Sequence, residues 1–100
     1  MKIAAILPHM EVFGGVRRYI EIGNNFIKRG HHFRIYHTDG SRPKWLEFFG
    51  ETRPVEQVTL EKNDIAICSD YSVLRYLERA NADKKIFYCL LEHKNNRKVC

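Results

Sequence analysis

The residues Ile3 to Leu7 form an unbroken apolar run that stops at Pro8. A strand wetted on one face alternates apolar and polar side chains, so a continuous run marks a strand covered on both faces, as in a parallel sheet. Parallel neighbours cannot be joined by a hairpin and need helical crossovers. The following residues meet that need. After a loop over residues 8–15, PHMEVFGG, the positions Val16, Tyr19, Ile20, Gly23, Phe26 and Ile27 fall at steps of three and four, one face of a helix. Lys28 and Arg29 suit the negative end of its dipole, and Gly30 follows as a left-handed cap. Gly23 inside the helix costs up to about 1 kcal/mol relative to Ala, which points to close contact with the sheet.

The same reasoning orders the rest of the chain. Phe33-Arg34-Ile35-Tyr36-His37 reads as a second strand, followed by the turn-forming Thr38-Asp39-Gly40-Ser41. Pro43 is expected to open a short helix capped by Ser41 or Arg42, with Trp45, Leu46, Phe48 and Phe49 as its apolar residues. Pro54 to Leu60 reads as an edge strand, and Ile65-Ala66-Ile67-Cys68, entered through Asn63-Asp64, as another buried one. Ser69-Asp70 would cap a helix carrying Tyr71, Val73, Leu74, Leu77 and Ala80, and Ile86 to Leu91 would form the last strand before a polar, basic tail from Glu92 to Cys100. This order predicts an α/β, Rossmann-like, doubly wound and mainly parallel sheet. In such sheets ligands bind beyond the carboxyl ends of the strands, so the loops at 8–15, 37–42, 69–70 and 92–95 should share one rim.

One hundred residues allow one small domain, too small for a cleft closed between two domains. The chain has 44 % apolar residues, enough for a core, and no low-complexity stretch. The first apolar run is shorter than the roughly 7–15 residues of a signal-peptide core and far below a membrane span, so a cytoplasmic protein is expected. Cys68, Cys89 and Cys100 lack C-x-x-C pairing, which excludes a zinc knuckle and a disulfide framework and fits a reducing compartment. No metal is assigned: His31 and His32 have no third ligand at suitable spacing and serve the turn after Gly30.

Gly14 and Gly15 stand between the first strand and the start of the first helix. Two residues without side chains let a ligand approach the backbone, and the helix amides and dipole favour a phosphate or carboxylate there. A loop that merely needs unusual backbone angles is the other reading, since neither G-x-G-x-x-G nor a P-loop is present.

The wider stretch MKIAAILPHMEVFGGVRRYIEIGNNFIKRGHHFRIYH resembles the opening of glycosyltransferases of the GT-B fold, in the large retaining group 1 / family 4 type. The residues that carry the likeness are Gly14, Gly15, Val16, Arg18, Tyr19, Arg29, Gly30 and His31. It is tight over the first ~40 residues and looser through Asn63 to Cys68 and the last strand, judged by element order. The resemblance implies that this chain is part of an N-terminal, acceptor-side domain. The whole enzyme would transfer a sugar from a nucleotide-sugar donor to a glycan or lipid-linked acceptor, with cell-surface polysaccharide as the type. It also implies that Gly14, Gly15, Val16 and Arg18 approach the donor, that no separate cofactor is needed, and that a missing C-terminal domain holds the donor carboxylate motif. His93, or Glu92 if the strand register differs, would face the reacting centre. Arg17 departs from the pattern, which commonly has an acidic residue there.

The net charge of +5 admits a peripheral contact with anionic lipid. The basic residues are scattered among acids without a recognition-helix or RNA-binding pattern, so nucleic acid is not expected. Asp64, Ser69 and Asp70 lie near a strand end, but no nucleophile elbow or matched second carboxylate accompanies them. A different class of function is a noncatalytic α/β module that binds a nucleotide or phosphate on its own.

Overall fold

The computed structural model describes residues 1–9, 14–38 and 40–88. Five strands, β1 (Lys2–Ile6), β2 (His32–His37), β3 (Glu51–Pro54), β4 (Asn63–Cys68) and β5 (Ala82–Phe87), form one sheet in the order β3-β2-β1-β4-β5. Every neighbouring pair is parallel. Helix α1 (Gly14–Lys28) covers one face, and a 3-10 helix (Val55–Thr59) with helix α2 (Leu74–Arg79) covers the other. This is the doubly wound, Rossmann-like arrangement expected from the sequence.

The central strand explains the apolar run. Ile3, Ala5 and Leu7 join Val16, Tyr19, Ile20, Phe33 and Ile35 under α1, while Ala4 and Ile6 join Tyr36, Val58, Ala66 and Cys68 on the opposite face. Both halves of the alternation are buried, so no position of β1 beyond Lys2 is free to be polar.

Helix α1 ends as its sequence predicts. Gly30 adopts a φ of 91°, its amide bonds to the Ile27 carbonyl at 3.0 Å, and the His31 amide bonds to Phe26 O at 3.1 Å. This is a Schellman closure, with the His31 ring set edge-on to Phe26 at 5.7 Å. Gly23 faces the sheet: a Cβ there would lie 2.6 Å from Phe33 Cδ1. Any side chain would collide with the ring that α1 rests on.

Four expectations are corrected. Residues 43–49 form no helix. Asn24 of α1 bonds in a strand-like manner to this segment, its Nδ2 donating to Glu47 O (3.0 Å) and its Oδ1 accepting from the Phe49 amide (2.8 Å). Arg42 donates to the carbonyls of Phe48 and Gly50. Phe48 is buried against Phe33 while Phe49 is exposed. The edge strand occupies Glu51–Pro54, earlier than expected, because the apolar pair Val55 and Val58 turns inward on a 3-10 helix. Ser69 and Asp70 do not cap the next helix by their side chains; it starts as a 3-10 turn, Tyr71–Val73, and α2 follows. The last strand begins at Ala82 rather than Ile86 and is an exposed edge, not a buried strand. Its continuation from Cys89, with Cys100 and the tail, lies outside the described residues.

A polar network ties β2, β3 and β4 together on the α2 side. Tyr36 Oη donates to Glu61 Oε1 at 2.7 Å and accepts from Arg34 (3.2 Å) and Asn63 (3.4 Å). Glu51 pairs with Arg53 at 2.7 Å and Arg34 at 3.3 Å, and Arg53 chiefly holds its carboxyl below the usual range. Burial pushes the Tyr36 hydroxyl pKa up, so it stays protonated and can donate. Replacing Tyr36 with Phe deprives Glu61, Arg34 and Asn63 of one shared partner. The expected loss is about 1–3 kcal/mol, checked by urea unfolding with an unchanged m-value.

Candidate functional site

Sequence order and sheet order together fix where a ligand can sit. From β1 the chain winds outward to β2 and β3 on one side, then returns to place β4 and β5 on the other. The reversal makes the carboxyl ends of β1 and β4 the topological switch point, where sheets of this kind bind ligands. Three backbone bonds extend the ladders to that rim: Leu7 N to Tyr36 O (2.8 Å), Ser69 N to Ile6 O (3.1 Å) and Tyr88 N to Cys68 O (2.9 Å). Thr38 Oγ1 donates to Pro8 O at 2.6 Å, which joins the loops after β1 and β2. The rim expected at 8–15, 37–42 and 69–70 is therefore brought together where it is described. Residues 92–95, with Glu92 and His93, lie outside the described residues.

Gly14 and Gly15 are the first two residues of α1. The amides of Gly14, Gly15 and Val16 open the helix and have no carbonyl four residues back within it. No acidic residue occupies the first turn of α1 itself, where the positive end of the dipole lies. The Val16 side chain is buried in the core under α1, which leaves only its backbone to meet a ligand. Arg18 is exposed, one residue beyond Arg17, whose Nε lies 3.4 Å from Glu21 one turn along. The acidic partner for Arg17 thus comes from α1 itself rather than from the rim.

Tyr19 crosses from α1 to the far end of the sheet. Its hydroxyl donates to the Tyr88 carbonyl at the end of β5, and burial raises its pKa well above the ordinary phenol value. Tyr19 is therefore a fixed strut that holds α1 over the ends of β4 and β5. Cys68 points to the opposite face, where Sγ donates to Asp70 O at 3.0 Å and burial pushes the thiol up to about 11. A thiol that stays protonated is a poor nucleophile. The Asp70 carboxylate accepts from Ser72 Oγ at 3.2 Å.

Ser69 is the residue that sequence reasoning misassigned. It is fully buried, and its Oγ has no hydrogen-bond partner. Asn63 Oδ1, inside the Tyr36 network, is the other such atom among the described residues. The signal in the sequence was a hydroxyl residue placed directly after an apolar strand, which is as compatible with a ligand contact as with a helix cap.

Among the described residues, no three His, Cys, Asp or Glu side chains gather as metal ligands. No helix among them is long and apolar enough to cross a membrane. No family model, curated protein or solved structure matches the chain.

Proposed function

We propose that this chain is part of the N-terminal, acceptor-side domain of a GT-B glycosyltransferase that moves a sugar from a nucleotide-sugar donor to a glycan or lipid-linked acceptor. The observation that carries the reading is the position of Gly14 and Gly15, which open a fifteen-residue helix beside the switch point. Amides at the start of a helix, glycines that leave the backbone open and a first helical turn without an acidic residue together favour the donor diphosphate. Transfer leaves a nucleoside diphosphate whose negative charge grows as the glycosidic bond breaks, so fixed donors at that point stabilise the transition state. Arg18 adds a positive charge one turn along, and His93 or Glu92 faces the transferred sugar. The likeness over residues 1–37 gives the chemistry its class.

A second observation supports a partial domain over a self-sufficient binding module. Tyr71 and Phe87, with rings 5.0 Å apart, are exposed on one face at the β5 edge, and Ile86 is exposed on the other. Apolar groups clustered in this way suit cover by a further element or domain. The net charge of +5 fits a peripheral approach to an anionic membrane that carries a lipid-linked acceptor.

The test is Gly15→Val in the whole enzyme. Val places a branched side chain where the diphosphate approaches, and the expected result is a loss of transfer of at least about 100-fold, comparable to losing an oxyanion donor, with unchanged circular dichroism. In the chain of 100 residues, UDP, GDP or inorganic pyrophosphate should shift the amide resonances of Gly14, Gly15 and Val16 before others. Undiminished transfer by the variant, with no shift at these amides, removes the reading.

A further inference from the structure

We propose that Ser69 is a ligand-binding residue of the switch-point crevice, where its hydroxyl donates a hydrogen bond to a phosphate oxygen held at the start of α1. This rests on the diphosphate reading of Gly14 and Gly15 and adds to it a side chain from the other strand of the crevice.

The placement follows from the alternation along β4. Ile67 packs with the core under α1 and Cys68 with the core on the opposite face. The ladder with β1 continues one residue past the strand. Ser69 therefore returns to the α1 face. Its amide bonds to Ile6 O, which sets it beside Leu7, and Leu7 packs with Val16 from the first turn of α1. The Ser69 hydroxyl thus faces the space between the end of β1 and the start of α1, the place the helix amides address. The carboxylate of Asp70, next along, accepts a hydrogen bond from Ser72.

An unpartnered hydroxyl in this position is costly. A buried donor or acceptor left without a partner costs about 1–3 kcal/mol, and nearly all such groups in folded proteins are satisfied. Alanine or glycine at position 69 would avoid the cost, yet a hydroxyl stands there with no partner. A ligand atom supplies what is lacking. Donors from two elements, the helix amides and a hydroxyl projecting from the sheet, suit a phosphoryl group with oxygens in several directions better than a flat carboxylate. Ser69 is fully covered in the ligand-free chain, so entry of the ligand requires the crevice to part above the strand ends.

The experiment titrates the wild-type chain, Ser69→Ala and Gly15→Val with inorganic pyrophosphate at constant ionic strength, with acetate as a control, and follows amide resonances. Thermal melts of the same ligand-free proteins accompany it. Ser69→Ala should weaken pyrophosphate binding roughly ten-fold or more, as expected for a lost hydrogen bond to a charged group, while its melting temperature stays level or rises. Acetate should bind more weakly than pyrophosphate and be indifferent to the substitution. If Gly15→Val abolishes binding but Ser69→Ala leaves it unchanged, the helix site stands and Ser69 has no part in it. A lowered melting temperature in Ser69→Ala with unchanged affinity also overturns the proposal, since the hydroxyl would then be structural. If the wild type binds no pyrophosphate, or binds it insensitively to both substitutions, the diphosphate reading and the role of Ser69 fall together.

Discussion

Gly50→Ala is expected to destabilise the chain by about 3 kcal/mol, the upper range for forcing extra volume into a packed core. A Cβ at this position would lie 2.2 Å from the carbonyl oxygen of Phe33 and 2.6 Å from Phe48 Cζ. The aromatic ring could turn away, but the carbonyl belongs to β2 and cannot move without disturbing the ladder. Gly50 leads directly into β3, whose register is set from Arg34↔Glu51. Shifting it therefore strains the edge strand, the Glu51 ion pairs and the Arg42 bond to Gly50 O together. For a domain of this size each kcal/mol lowers the melting temperature by roughly 4–8 °C, so differential scanning calorimetry should register a large drop. A melting temperature within a few degrees of wild type would mean that β3 does not approach β2 as described.

Phe33→Ala should cost about 3–5 kcal/mol, a large part of the ~5–15 kcal/mol that holds a domain folded. Phe33 is 2 % exposed, stacks on Phe26 at 6.0 Å and meets Phe48 edge-on at 6.3 Å. It is thus the contact point of α1, β2 and the segment before β3. The prediction has a specific coupling. Gly23→Ala in the wild type is expected to destabilise, because its Cβ would strike the Phe33 ring. In the Phe33→Ala background only the Phe48 ring, 3.1 Å from the Cβ and free to turn into the vacated space, remains close, and the same change should stabilise by up to about 1 kcal/mol through helix propensity. A double-mutant cycle from denaturant unfolding measures the change of sign. Equal effects of Gly23→Ala in both backgrounds would contradict the close packing of α1 on β2.

The first half of the fold was legible because its signals are local. The run from Ile3 to Leu7, the three-and-four spacing from Val16 to Ile27 and Gly30 at the helix end each report on a few neighbouring residues. Each is matched by a strand, a helix and a Schellman closure. The segment from Ser41 to Gly50 was misread for the converse reason. Its aromatic residues and Pro43 suit a helix, but its backbone groups are bonded by Asn24 and Arg42, one of them on another element. Once those bonds exist the helix gains little. Lys84 and Lys85, left outside the strand expected from Ile86, are strand residues because β5 needs hydrogen bonds from β4 on one side only and tolerates exposed polar groups on both faces.

The candidate site divides in the same way. Gly14 and Gly15 were singled out from chain order, since a strand-to-helix turn is contiguous, and Arg18 from the family resemblance. Ser69 was seen but assigned to a cap. Its place beside the end of β1 depends on β4 lying next to β1, a pairing that no local pattern encodes.

By itself the sequence determined that the run from Ile3 to Leu7 is buried on both faces, where α1 ends, and that parallel strands must be joined by crossovers, because burial and helix periodicity are written in nearest neighbours. Only the tertiary structure decided the order β3-β2-β1-β4-β5, the non-helical course of residues 43–49 and the bond of Ser69 to the end of β1. Those depend on which distant backbone groups find partners, and that competition is resolved only when the whole sheet closes.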